Sequence, residues 1–324
     1  MCGHATIALG RLLIDTHDES IFPLRSKLEF DSETSSTLVR LHAPCGIVRI
    51  SVPTQFQPTQ GNNMRAKSDP SKPVSFLSVP SFVAGMNLRI DIPAIMDWRS
   101  KAHDRSSITF DIAYGGAFYA IVSASELGFP DLKKRSVIDS EGKQIGLKYD
   151  PDDIRALDVA TKTLKALIAV SHQEVMLHPL RELNTELKDI EFLYGIIVVD
   201  KDECFTISYP KEQKCKGSDS NLTFFGSQQL DRSPTGSGVS ARMALSVAKD
   251  ELQLGYSWVY HSVVSIGVLE NGNEGAFLGT GVEKVEISNK SGIIVKVEGK
   301  SWYISTETFV VESGDSIGQK GFLL

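Results

Sequence analysis

The sequence predicts an α/β protein with two pseudo-equivalent halves, each built from short strands and a helix. Short apolar stretches that alternate in polarity recur along the chain, as is typical of strands. Two helices begin alike, with a small nucleophilic side chain followed by glycine, at Cys2-Gly3 and Thr235-Gly236. Because the open N–H groups at a helix start attract anions, we expect the two starts to face one small anionic ligand.

The first half combines a short helix with several strands. Residues 5–15 are predicted to form the helix, with one apolar face made by Ile7, Ala8, Leu12 and Leu13. The polar stretch 55–72 has no periodicity, which favours a surface insertion loop. Strands are predicted at residues 37–41, 47–52, 74–77, 88–90 and 108–112.

The middle of the chain contains a strand pair and the longest helix. Residues 111–122 resemble a strand–turn–strand unit in which Gly115-Gly116 permits a bulge or close approach by another backbone. Residues 152–172 have a helical apolar face, and Asp152 or Asp153 can cap the start. Strands at 191–199, 203–209 and 222–225 and a charged loop at 211–220 are predicted to follow.

The second motif helix is predicted to start after Pro234, with Thr235 as N-cap and Val239, Met243, Ala244 and Val247 on one apolar face. Strands at 261–270, 276–278, 282–287, 293–297 and 302–304 are predicted to complete the chain. We expect a first domain of residues 1–124 plus 303–324, and a second domain of residues 125–302.

Composition restricts the class of protein. The 324 residues are 41% hydrophobic and 23% charged, as in ordinary globular proteins. A net charge of −6 argues against nucleic acid as a partner. No apolar run reaches the roughly 20 residues of a membrane helix. The four cysteines show no CxxC spacing, which argues against zinc and favours a reduced, cytoplasmic compartment.

Cys2 is the first candidate for chemistry. A thiol at a helix N-terminus is expected to have its thiolate favoured, so that it can act as a nucleophile or take a proton from carbon. The alternative is a small buried apolar residue. His4 could bind a substrate or Asp231, or be a structural polar residue. Asp231 could pair with a substrate ammonium or form a turn, and Phe225 could pack a ring or the core.

Other polar residues are expected to be structural. Arg232 and Arg242 are predicted to make salt bridges or hydrogen bonds, and His172 and His178 to lie at the surface. The remaining cysteines have no basic or dipolar setting and are expected to be inert: Cys45, Cys204 and Cys215.

Met1–Arg11 and Asp231–Arg242 resemble the two signature segments of the proline racemase family. Residues 111–122 and 191–199 resemble further segments of that family, as does Gly321-Phe322. The resemblance implies a diaminopimelate epimerase-like fold, in which two α/β domains wrap strands around a central helix and the active site lies in the cleft. Family members have a further segment before the first signature, so the first domain is expected to be incomplete.

The resemblance also implies a reaction. In racemases and epimerases of the family both helix starts carry a cysteine, and the two exchange protons with opposite faces of the α-carbon. Here Thr235 replaces the second cysteine, and its hydroxyl is a far weaker acid. This pattern is similar to the branch that dehydrates trans-3-hydroxy-L-proline. Cys2 would take the α-proton, and the 3-hydroxyl would leave as water to give Δ1-pyrroline-2-carboxylate.

The family's matching residues imply roles for the rest of the site. The substrate carboxylate is expected on backbone N–H groups, and His4 and Asp231 are expected at the ring nitrogen. Phe225 would pack the ring, and Thr235 would contact the leaving hydroxyl or a water. The N–H groups are those around Gly3, His4, Gly236 and Ser237.

The resemblance implies no metal or organic cofactor, and a homodimer is the common assembly. The alternative is a catalytically impaired relative without the family's first segment, either a ligand-binding remnant or a fragment from a misplaced gene start. A racemase or epimerase is disfavoured by Thr235.

Overall fold

The structure, a computed structural model, describes residues 2–58, 64–93, 105–201, 214–271, 275–308 and 310–316. The α-helices are α1 (Gly3–Asp15), α2 (Pro151–Ser171) and α3 (Gly236–Ala248). Short 3₁₀ helices cover Arg25–Lys27, Gln173–Met176, Thr185–Ile190 and Ser265–Asn271. The strands are β1 (Glu29–Asp31), β2 (Ser36–Ala43), β3 (Gly46–Pro58), β4 (Met64–Ser68), β5 (Val74–Leu77), β6 (Ser81–Asp91), β7 (Ser107–Tyr114), β8 (Phe118–Ser123), β9 (Lys134–Ile138), β10 (Gln144–Tyr149), β11 (Leu193–Asp200), β12 (Cys215–Phe225), β13 (Gln229–Leu230), β14 (Ser257–His261), β15 (Phe277–Ile287) and β16 (Lys290–Gly299).

Helix α3 lies inside a closed set of strands. The strands follow the order β16-β15-β14-β12-β11-β8-β7-β6, and β6 pairs back onto β16. Helix α3 packs against β6, β7, β8, β15 and β16. Every residue from Gly236 to Leu245 is therefore buried, not only the apolar face that the sequence predicts.

Helix α1 packs against a second run of strands, ordered β5-β3-β2-β1, with β4 added to β3. Strand β16 belongs to both runs, because Gly292 and Ile293 pair with β6 while Lys296–Gly299 pair with β5. This is the mixed α/β plan that the sequence predicts, with strands wrapped around each motif helix. The domain limits stay a prediction, although β6–β8 surround α3 and not α1.

The buried face of α1 differs from the predicted one. Ile7 and Ile14 are buried, whereas Leu12 is 46% exposed. Gly10 faces β3 so closely that a Cβ there would lie 2.8 Å from Ile50 Cγ2. Because α1 approaches β3 at a glycine, the buried face of α1 cannot be found from its apolar residues alone.

Most of the other predicted elements are confirmed. The strands expected at 37–41, 47–52, 74–77, 88–90 and 108–112 lie within β2, β3, β5, β6 and β7. Residues 111–122 form β7, a turn at Gly115-Gly116 and β8. Helix α2 exists, but its cap is Asp150, whose carboxylate accepts from the Asp152 N–H at 2.9 Å.

The prediction of a loop at 55–72 is wrong, because residues 55–58 and 64–68 pair as a hairpin. Residues 55–58 end β3 and pair with β4. Residues 55–58 alternate polar and apolar side chains, but all four are exposed, so the pattern marks no buried face. Residues 59–63 lie outside the described residues.

Three later predictions are also corrected. The charged loop at 211–220 is already strand β12 from Cys215 onward, where Asp219 and Ser220 have the buried partners Arg242 and Tyr149. No strand covers 261–270: β14 ends at His261, and a 3₁₀ helix begins at Ser265. Residues 302–304 form no strand. The strand expected at 203–209 and the Gly321-Phe322 segment lie outside the described residues.

His178 is buried, not at the surface as predicted. Its ring packs edge-on against Phe82 and Tyr114, with centroids 5.4 and 4.8 Å away. Its Nδ1 accepts a hydrogen bond from the Leu180 N–H. Burial lowers the pKa of His178 to about 4, so the ring is neutral at physiological pH and belongs to the core.

Arg242 makes the structural ion pair that the sequence predicts. Its guanidinium donates two hydrogen bonds to the Asp219 carboxylate, at 2.7 and 2.6 Å, and both side chains are almost wholly buried. The Tyr260 ring lies 4.7 Å from the guanidinium carbon. The pair joins the middle of α3 to β12. Arg232, by contrast, is exposed, and its carbonyl accepts from the Ser262 hydroxyl.

The Asp219→Asn variant is expected to lose about 3–5 kcal/mol of unfolding free energy, because Arg242 would keep a buried charge without its partner. Urea denaturation followed by circular dichroism measures the loss. Glu29→Gln is the control, because the exposed Glu29–Arg40 pair contributes at most about 1 kcal/mol. Equal losses in the two variants would contradict the assignment.

Candidate active site

The N-termini of α1 and α3 meet in direct backbone contact. A Cβ on Gly3 would lie 2.4 Å from the Cα of Gly236, and a Cβ on Gly236 would lie 2.6 Å from the Cα of Gly3. Both positions therefore require glycine. Since each helix start carries partial positive charge and N–H groups without a partner in the helix, the junction favours an anion. The predicted meeting of the two helix starts is confirmed.

A third backbone segment fixes the first turn of α3. A Cβ on Gly115, in the β7–β8 turn, would lie 2.1 Å from the Ser237 carbonyl oxygen. The predicted close approach at this Gly-Gly pair is thus confirmed. The buried Tyr119 hydroxyl lies 2.7 Å from Ser237 Oγ. The Ser237 side chain is thereby occupied, which leaves its backbone N–H as the group that a ligand can use.

Cys2 is exposed at the N-cap position of α1 and lies beside His4. Its Sγ is 3.6 Å from Nδ1 and 3.8 Å from Nε2 of that ring. The hydrogen bond with His4 lowers the pKa of the Cys2 thiol, aided by the Ala5 N–H, while desolvation and the Asp231 charge oppose this. The same hydrogen bond raises the pKa of His4. The two side chains can therefore form a thiolate–imidazolium pair.

Thr235 stands at the matching position of α3, but it does not cap the helix with its side chain as predicted. Its φ of 63° is left-handed, a conformation that a β-branched residue adopts only under strain. Its hydroxyl donates to Asp231 Oδ2 at 2.8 Å. The hydroxyl proton is thus directed to a carboxylate and not toward the junction.

Asp231 acts as a turn former and also influences the site. Its Oδ1 accepts from the N–H and the hydroxyl of Ser233, at 2.8 and 3.0 Å. Its charge raises the pKa of His4, yet the hydrogen-bond partners of His4 are Cys2 and Ser233 Oγ, the latter at 2.9 Å. Ser233 was missed by sequence reasoning. The Asp-x-Ser spacing, which often forms a local side-chain turn, was the signal that could have found it.

Phe225 belongs to a row of aromatic rings. It stacks on Tyr194, with centroids 5.6 Å apart and planes at 22°. Tyr194 in turn meets Tyr119 edge-on at 5.7 Å. The charges of Cys2 and Asp231 act on both phenols, which identifies Tyr194 and Tyr119 as the rings beside the site. Neither was predicted, because their strands show only a general apolar pattern. The role of Phe225 stays a prediction.

The other cysteines are unlike Cys2. Cys45 is buried, and burial raises the pKa of its thiol. Cys215 is half-buried in β12, and Cys204 lies outside the described residues.

Within the described ranges, no three His, Cys, Asp or Glu side chains come together as a metal site. None of the helices described there is long and apolar enough to cross a membrane.

The His4→Gln variant is expected to move the alkylation of Cys2 to higher pH, toward the ordinary thiol pKa of 9.0, because the main cause of the lowered pKa is removed. Near pH 7 the rate should fall about ten-fold if the pKa of the thiol rises by one. Iodoacetamide labelling across a pH series, resolved by peptide mass mapping, measures this. His172→Gln is the control, since His172 pairs with Ser171. An unchanged midpoint in His4→Gln would refute the pairing.

The sequence model of the Proline racemase family matches residues 1–145 and 140–323 of this chain. The chain is 32% identical over 324 residues to trans-L-3-hydroxyproline dehydratase of Bos taurus, and 30% identical over 326 residues to trans-3-hydroxy-L-proline dehydratase of Homo sapiens. Each match covers 100% of this chain and 71% of the relative.

A crystal structure of a probable proline racemase from Agrobacterium radiobacter K84 superposes with a TM-score of 0.61 at 21% identity, covering 100% of this chain and 72% of that one. The fold is thus that of a proline racemase-like protein. Together with the match of the family model to both halves of the chain, these similarities show that the protein belongs to the proline racemase family.

Proposed function

We propose that the protein dehydrates trans-3-hydroxy-L-proline to Δ1-pyrroline-2-carboxylate, with Cys2 as the base. The observation that carries the proposal is the asymmetry of the two helix starts. One has a thiol with a lowered pKa beside His4, and the other has Thr235, whose proton is donated to Asp231. Membership of the proline racemase family and identity of 30–32% to dehydratases support an enzyme of this kind.

The contacts at the junction fit a cyclic amino acid. Its carboxylate would accept hydrogen bonds from the N–H groups of Gly3, His4, Gly236 and Ser237, where the two helix dipoles add. Its ring ammonium would be drawn to the Asp231 carboxylate. The row Phe225–Tyr194 would pack the apolar part of the ring. Hydrogen bonds to the carboxylate and the positive charge on the ring nitrogen acidify the α-carbon between them.

The stereochemistry of the substrate allows the Cys2–His4 pair both to remove the α-proton and to protonate the leaving hydroxyl from one side of the ring. In trans-3-hydroxy-L-proline the α-hydrogen and the 3-hydroxyl lie on the same ring face, because each is opposite to the carboxylate. The Cys2 thiolate takes the α-proton, and the electron pair of the C–H bond forms the ring double bond as the C3–O bond breaks. The thiol, or the His4 imidazolium beside it, returns a proton to the departing hydroxide, which leaves as water.

The product of this step is an enamine, which tautomerises to the imine. The Cys2–His4 pair is regenerated in its starting charge state, and no oxidant or reductant is consumed. Thr235 would face the other side of the α-carbon in this arrangement, so the leaving hydroxyl on the Cys2 face would be out of its reach, contrary to the role expected from the family. A threonine hydroxyl is too weak an acid to supply a proton there near neutral pH, so inversion does not compete.

The cofactor-free reaction, a homodimeric assembly, a cytoplasmic location and the absence of nucleic-acid partners belong to the same proposal. They follow from the family resemblance and from composition.

Incubation of the protein with trans-3-hydroxy-L-proline is expected to give an imine that reacts with o-aminobenzaldehyde to a coloured adduct. Cys2→Ser should lower the rate by about 10²–10⁴-fold, the usual contribution of a positioned acid–base group. Cys215→Ser is the matched control and should keep the rate, since that thiol lies in β12. A folded protein that forms no imine would overturn the dehydratase proposal.

The Thr235→Cys variant is expected to gain inversion of proline, because a thiol at α3 could protonate the second face of the α-carbon. Chiral chromatography of L-proline after incubation detects the D-isomer. Thr235→Ser is the control and should show no inversion, because it keeps a hydroxyl. Inversion of proline by the unaltered protein would favour a racemase, the activity named for some relatives.

A further inference from the structure

We infer that Ser233 is a positioning residue that sets the proton arrangement of the Cys2–His4 pair. The inference rests on the proposed function, because it concerns the same site, but its consequence is measured on Cys2 and His4 without any substrate. Ser233 lies between the two helix starts and contacts a residue from each of them.

The hydroxyl of Ser233 has three polar neighbours, and their chemistry determines each proton. Asp231 Oδ1, at 3.0 Å, is a carboxylate oxygen that only accepts, so it takes the single hydroxyl proton. The Thr235 N–H, at 3.2 Å, only donates, so it occupies one lone pair. The lone pair that remains faces His4 Nδ1 at 2.9 Å. Ser233 can only accept there, and Nδ1 must therefore carry a proton.

The second ring nitrogen is then the one that exchanges a proton with Cys2. The two ring nitrogens lie at similar distances from Sγ, Nδ1 at 3.6 Å and Nε2 at 3.8 Å, but the Nδ1–H is directed to Ser233 Oγ at 2.9 Å, which leaves Nε2 to face the thiol. In the imidazolium state the Nδ1–H points, through Ser233, to the Asp231 carboxylate. Ser233 thus favours the charged ring, and a charged ring favours the Cys2 thiolate.

Other charged and titratable groups around the Cys2–His4 pair also affect the pKa of His4 or lie beside the pair. The Asp231 charge raises the pKa of His4, and the Arg232 charge lowers it. Tyr119 on β8 and Tyr194 on β11 have raised pKa values through burial, so both are neutral near pH 7. These groups act on His4 through their charge, whereas Ser233 Oγ, like Cys2 Sγ, lies within hydrogen-bond distance of a ring nitrogen of His4.

The same hydroxyl also supports Thr235. It accepts the Thr235 N–H and is itself held by Asp231, which accepts the Thr235 hydroxyl. A ring of hydrogen bonds therefore links the left-handed Thr235 on α3 to His4 on α1. Loss of the Ser233 hydroxyl should change both helix starts, whereas loss of the Ser240 hydroxyl, which lies within α3, should not.

The test compares Ser233→Ala, Ser233→Thr and Ser240→Ala by Cys2 alkylation with iodoacetamide across a pH series, read by peptide mass mapping. Ser233→Ala is expected to move the midpoint to higher pH by about 0.5 and to slow the reaction at pH 7 by about three-fold or more. Ser233→Thr should restore most of the rate. Ser240→Ala is the control, because that hydroxyl donates to the Gly236 carbonyl.

A second measurement needs no variant of Ser233. In protein labelled with ¹⁵N-histidine, NMR above the pKa of His4 should report the Nδ1–H tautomer for that ring, assigned by its loss in His4→Gln. An Nε2–H tautomer, or an unchanged alkylation midpoint in folded Ser233→Ala, would overturn the inference. Failure of the dehydratase proposal is distinct, since it would appear as absent imine formation with the alkylation behaviour intact.

Discussion

The contact between Gly3 and Gly236 is the constraint on which the rest of the site depends. With backbones this close, neither helix start can carry a side chain at its first position, and the residues just before the glycines are brought side by side. Two like-signed helix ends in contact repel each other unless negative charge lies near them. The Asp231 carboxylate supplies such charge, and the proposed Cys2 thiolate and anionic substrate would add to it.

The strand arrangement explains how the contact is maintained. Helix α3 is enclosed by strands and anchored at its middle by the buried Arg242–Asp219 pair. Gly115 and Tyr119 hold its first turn from the side of β7 and β8. Helix α1 rests on β3 through Gly10. Close packing at a glycine thus positions each helix, against the Ser237 carbonyl for α3 and against the Ile50 side chain for α1. This packing fixes where the two N-termini lie.

The plan of the fold and the two helix starts were predictable because they depend on local patterns. Apolar periodicity marks α2 and most strands, and the nucleophile–glycine pair marks α1 and α3. The hairpin at 55–58 and 64–68 was not predicted, because its alternation is short and its apolar side chains, such as Phe56 and Met64, stay exposed. The burial of His178 was not either, because it is enclosed by Phe82 and Tyr114, which are distant in sequence. Within the site, Cys2 and Asp231 could be found from the motifs. The link from His4 to Ser233 spans 229 positions and requires the tertiary structure.

Strand β16 runs along both groups of strands, pairing with β6 at one end and with β5 at the other. Both pairings are made by one continuous backbone, so a shift of one group of strands is transmitted to the other. The relative position of the two helix starts is thus part of the folded structure, and the ordering that sets it is included in the free energy of folding.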